Sequence, residues 1–134
     1  MNIPLWLDII NFGLVILIWL VQLIIYPSFA HIEKDEFLPW HRRYVRTISM
    51  IVSPLMLAQM VLIVIRLSYQ LTRVNIFMLF CVIVIWISSF SLSVPCHTKL
   101  SRDGKDHVVI DRLVRTNWIR TILWTLVFLS GILF

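Results

Sequence analysis

Asn117, Arg120, Thr121 and Trp124 fall at spacings i, i+3, i+4 and i+7, so on a helix they share one face. Arginine and asparagine on such a face can both donate hydrogen bonds to an oxygen that gains negative charge as a reaction proceeds. The four histidines, His31, His41, His97 and His107, add imidazoles that titrate near neutral pH and are the commonest type of metal ligand. Together these residues predict a site for an oxygen-bearing ligand. His97 acts there as general base, Asn117 and Arg120 stabilise a phenolate or enolate oxygen, and Gln22, Tyr26 and Thr121 orient the ligand. Trp124 offers a flat face for stacking against an aromatic or quinone-like ring.

A plainer role is open to each of these residues. Arg120 can snorkel to lipid headgroups and Asn117 can cap a helix. The histidines can be interfacial and simply hydrogen-bonded. His31, His41 and His97 form a metal site only if the segment between the first two folds back over the third. Their spacing matches no zinc signature, and neither HExxH nor HxxxH occurs. The cofactor is therefore either none or a metal ion held by these three. Haem is not expected, because no histidine lies in the body of an apolar segment.

The elements that must position these residues are four apolar stretches at about 3–29, 47–65, 75–94 and 117–134. A membrane span needs about 20 mostly apolar residues. A hydrophobic content of 60%, a mean hydropathy of +0.90 and six tryptophans fit a polytopic membrane protein. The prediction is an all-α membrane protein. It is a four-helix, up-down-up-down transmembrane bundle forming a single domain over residues 1–134, with a short interfacial helix after span one at about 31–47. Residues 1–7 lack a basic stretch, Asp8 interrupts the apolar run and no small-residue cleavage site follows, so span one is expected to stay. By helical rise Gln22 lies about 9 Å below Ser28 and Arg120 about 7 Å below Arg115. Ser49, Ser53, Ser89 and Ser91 fall in the same half, which predicts a pocket open to that side.

Charge gives that side an orientation. Nine loop residues, Lys34, Arg42, Arg43, Arg46, Lys99, Arg102, Lys105, Arg112 and Arg115, lie on it, against Arg66 and Arg73 on the other. Short loops rich in Lys and Arg stay cytoplasmic, so both termini are expected outside the cytoplasm, in a bacterial cytoplasmic membrane. The net charge of +5 is accounted for by this asymmetry and by anionic lipid, with no groove for nucleic acid. Asp8 and Arg66 are expected to pair near the opposite surface. Ionisable residues are missing at mid-depth, which argues against transport. Cys81 and Cys96 are about 22 Å apart on one helix and cannot pair.

Tyr26-Pro27 closing span one, Pro95-Cys96-His97-Thr98-Lys99-Leu100 closing span three and Thr116-Asn117-Trp118-Ile119-Arg120-Thr121 opening span four resemble the anthrone oxygenase-like family of small four-span membrane proteins. The resemblance covers most of the chain. It implies oxidation of a polycyclic phenolic ketone by dioxygen without an established metal, and falls on Pro27, Pro95, Leu100, Asn117 and Arg120. His97 stands where the family often has asparagine, and His31 and His41 lie outside its pattern. The leading expectation is an oxidoreductase or oxygenase-like enzyme acting on a lipophilic aromatic or quinone-like compound that enters from the bilayer. The alternative is a non-enzymatic small membrane subunit or lipid-binding protein with a basic cytoplasmic face. Assembly with further copies of the chain is open in either case.

Overall fold

The computed structural model describes residues 2–134 and consists of four long helices joined by two- or three-residue connections: α1 (Ile3–His31), α2 (Lys34–Tyr69), α3 (Arg73–Asp103) and α4 (His107–Leu133). Each is long and apolar enough to cross a membrane. The sequence supplies the starts. Asn2 Oδ1 accepts from the Leu5 amide at 3.1 Å, Thr72 Oγ1 from Asn75 at 3.2 Å, and Asp106 Oδ1 from Val108 and Val109 at 2.9 and 3.3 Å. Each satisfies an amide that the first turn leaves without a partner. Gly104 ends α3 at φ 88° and ψ −163°, a conformation essentially confined to glycine.

Helices α1 and α3 each pack on both α2 and α4, so the four close into a bundle. The end of α1, the start of α2, the end of α3 and the first half of α4 come together, bonded through Tyr26, His41, His97, Gln22 and Asn117. Lys105 fastens this end by donating to the carbonyls of Ala30 and Ile32 at 2.8 and 2.6 Å. Leu14, Ile18, Phe29, Ile85 and Leu113 fill the interior, whereas Leu23, Ile24, Phe80 and Phe90 stand about 60% exposed on the outside. An apolar exterior of this kind suits hydrocarbon as the surrounding solvent.

Three local features differ from the sequence reading. Residues 34–47 do not form a separate short helix; they are the first turns of the 36-residue α2, which runs on through Pro39 and Pro54. Their polar start, Lys34 to Glu36, suits a helix N-terminus and gives no signal for a break. Span three does not stop at Pro95. A π-helical turn at Ser89–Ser93 precedes that proline, and the helix continues to Asp103. Likewise a π-helical turn at Val21–Ile25 precedes Pro27, and α1 continues to His31. A wide turn takes up the carbonyl that a proline without an N–H leaves unpaired, so the chain passes the proline instead of ending there. Finally, Asp8 and Arg66 do not form an ion pair, and Asp8 Oδ1 and Arg66 Nε and Nη1 have no hydrogen-bond partner. The ion pairs among the described residues are Lys99–Asp106 and Arg102–Asp103.

Candidate functional site

Between the four helices, towards the end fastened by Lys105, lies a cavity of about 160 Å³. Tyr26, His97, Arg120 and Trp124 line it together with serines from α2 and α3, on an otherwise apolar wall. The serines are Ser49, Ser53, Ser89 and Ser93. Ser91, grouped with them from the sequence, is exposed, because the π-helical turn rotates Ser93 inward in its place.

Arg120 is only 7% exposed and points into the bundle. Its Nη2 donates to Asn117 Oδ1. Asn117 Nδ2 donates to Gln22 Oε1 at 2.9 Å, Thr121 Oγ1 reaches the same oxygen at 3.1 Å, and Gln22 Nε2 donates to the Val114 carbonyl at 3.0 Å. Gln22, Asn117 and Thr121 therefore do not line the cavity; their polar groups are spent on one another and on holding Arg120. The π-helical turn of α1 brings Gln22 to this position. Trp124 is held from behind, its Nε1 donating to Gln59 Oε1 at 3.1 Å while Gln59 Nε2 donates to Asn11 Oδ1 at 2.7 Å. The guanidinium is thus presented to the cavity with its geometry fixed in advance, as stabilisation of a developing oxyanion requires.

The Tyr26 hydroxyl, also at the cavity, lies 3.0 Å from His97 Nε2. His97 Nδ1 lies 3.1 Å from His41 Nε2, and His41 Nδ1 lies 3.0 Å from Ser101 Oγ. His41 is fully buried, stacked on Phe37 at 5.3 Å and met edge-on by Phe29 at 5.4 Å. Helix α2 places His41 one turn after Phe37, so both reach inward from the same face.

The three-histidine metal set is not assembled. His31 is exposed at the end of α1, and both ring nitrogens of His41 and of His97 already have protein partners. Among the described residues no three His, Cys, Asp or Glu side chains gather closely enough to hold a metal ion. The fold-back invoked for that set would have needed a break before residue 47, and α2 has none.

Compared with known families, characterised proteins and solved structures, the chain matches none. The site is therefore read from its own geometry. Sequence reasoning found Arg120, Tyr26, His97 and Trp124 through depth and helical spacing. It missed Ser93, the ring of Tyr44 at the cavity, and the part played by Ser101. Ser101 looked like a turn residue because Ser101-Arg102-Asp103-Gly104 has turn composition, yet helix α3 persists through Asp103.

Proposed function

We propose that this chain is an integral membrane protein whose four helices cross the bilayer up-down-up-down, with the basic end in the cytoplasm and both termini outside. Its cavity binds the single-ring phenolic or quinone-like head of a lipophilic compound. The observation that carries this reading is a buried guanidinium at a ring-sized cavity that Tyr26 and His97 also line. A cavity near 150 Å³ with apolar walls holds a benzene-sized molecule, so about 160 Å³ has room for one ring.

The chemistry that fits is oxygenase-like. The Tyr26 oxygen takes the proton of a phenol or enol while its own hydroxyl proton passes to His97, Arg120 stabilises the resulting anion, and the electron-rich ring becomes oxidisable by dioxygen. Asn117, Gln22 and Thr121 position Arg120, and Trp124 packs against the ring. The test is to equilibrate the purified protein with a single-ring alkylphenol under oxygen and to follow binding by tryptophan fluorescence and product by mass spectrometry. Saturable binding with an oxygenated product supports the reading; an inert, unbound phenol overturns it.

A second reading rests on the exposed residues Arg42, Arg43, Arg46, Lys99, Arg102 and Arg112 at the basic end. They suit anionic headgroups, as a non-enzymatic lipid-binding protein or small subunit would need. Co-purified anionic lipid with no bound phenol is the outcome that favours it.

A further inference from the structure

The chain Ser101–His41–His97–Tyr26 has a use beyond holding the fold together. Its inner end, Tyr26 and His97, lines the cavity. Its outer end, Ser101, lines a second, more open pocket of about 520 Å³ at the basic end, beside Arg42 and Arg102. The two spaces adjoin, with Ile48, Ser49, Val94 and His97 bordering both. Ser101 is fixed in place because Arg42 Nε donates to its carbonyl at 2.8 Å. The three successive donor–acceptor separations of 3.0, 3.1 and 3.0 Å are each within hydrogen-bond range.

We propose that these four side chains form a proton relay between the basic-end pocket and the inner cavity. The proposal rests on the reading of the cavity as a binding site for a hydroxyl-bearing ring. When that ring loses its proton to the Tyr26 oxygen, the Tyr26 hydroxyl proton passes to His97 Nε2. The proton on His97 Nδ1 passes to His41 Nε2, that on His41 Nδ1 passes to Ser101 Oγ, and the serine's own proton leaves to water in the outer pocket. One proton crosses, and every relay group ends neutral. The two imidazoles have each exchanged one tautomer for the other, so the chain is set to run in reverse and return a proton to the cavity. Behind Trp124 the polar contacts continue through Gln59 and Asn11. Indole and amide groups do not pass protons on at neutral pH, so this route carries none.

The geometry makes a checkable demand on the tautomers. If Tyr26 donates inward along the chain, both histidines carry their proton on Nδ1. If Ser101 donates, both carry it on Nε2. The two rings must therefore switch together, although each end group touches only one of them. Nitrogen NMR of histidine-labelled protein in lipid nanodiscs reads this directly. Ser101→Ala removes the acceptor for His41 Nδ1–H, so it should drive His97, which Ser101 does not touch in this chain, to the Nε2–H form. Tyr26→Phe should drive the distant His41 to the Nδ1–H form. Independent tautomers in the two rings, or far-end rings that ignore these substitutions, would overturn the relay.

A kinetic arm separates a relay from a static chain of bonds. The probe is a hexyl-substituted nitrophenol, whose phenolate absorbs where the phenol does not, added to the protein in phosphatidylcholine vesicles and followed after a pH jump. His41→Ala should slow ionisation of the bound probe by about a hundredfold, the scale of a lost positioned proton-transfer group, and added imidazole should restore it. A bound probe that ionises at the wild-type rate in His41→Ala and in Ser101→Ala refutes the relay while leaving the binding site standing. Coupled tautomers in a protein that binds no phenol refute the binding site and the relay's task with it. Ser101→Ala, at a half-buried helix-end position, serves where His41→Ala does not fold.

Discussion

At the scale of single residues, the proposed recognition turns on Arg120. Its charge is taken out of solvent and given Asn117 as partner, and Asn117 in turn is fixed by Gln22. Arg120→Leu should insert and fold, because leucine is favoured over arginine within a span by about 3 kcal/mol or more. It should nonetheless abolish phenol binding in its anionic form and lower any turnover a hundredfold or more, since an oxyanion-stabilising donor is worth about 3–4 kcal/mol. Product formation with normal membrane yield is the measurement, and an active Leu variant removes the role. His97→Asn should be as costly, because asparagine can hydrogen-bond Tyr26 but cannot take a proton at neutral pH. Asn117→Leu should destabilise the fold by about 1–3 kcal/mol, the cost of a buried polar group left unpaired, read as thermal unfolding in detergent. These residues were legible in the sequence because polar side chains inside an apolar run are few and share depth. Whether they face the cavity or one another was not legible, since Gln22 shares Arg120's depth and Thr121 its helix face, and yet both only support it.

At the scale of elements, two π-helical turns and one glycine place the site. Each wide turn lies just before a proline, and between them they bring Gln22, Ser89 and Ser93 inward. The prolines were visible in the sequence but read as endings, because a proline's missing N–H reports a broken bond and not how the neighbouring turn repairs it. The same ambiguity hid the continuity of α2. Gly104 was legible as a turn, and its φ and ψ show why no other residue serves. Gly104→Ala should destabilise the connection between α3 and α4 by about 1–3 kcal/mol. Gly104→Asn should not rescue it, because asparagine tolerates the left-handed helical region and ψ of −163° lies far outside that region. Comparing the thermal unfolding of both variants with wild type checks this; an unperturbed Ala variant would mean that the connection relaxes freely.

At the scale of the whole molecule, the arrangement is a one-ended device. The cavity, the histidine chain, the second pocket and the basic rim all lie towards the end where α2 and α4 begin, and the far half of the bundle is apolar apart from the Asp8, Asn11, Gln59, Arg66 and Asn75 side chains. Four spans were legible from hydropathy alone, because burial in hydrocarbon demands an apolar run whatever the packing. Orientation depends on the loops. Nine Lys and Arg residues on one side against Arg66 and Arg73 on the other should hold the basic end in the cytoplasm. The chain suits a labelling test, since its two native cysteines, Cys81 and Cys96, are buried and should give little background. Cysteine at Asp103, exposed beside the connection from α3 to α4, should resist a membrane-impermeant maleimide in intact cells and react once the cells are opened. Cysteine at Leu71, 77% exposed in the connection from α2 to α3, should react in intact cells. The opposite pattern would place the basic end outside, and the proposed relay would then exchange protons with the external medium instead of the cytoplasm.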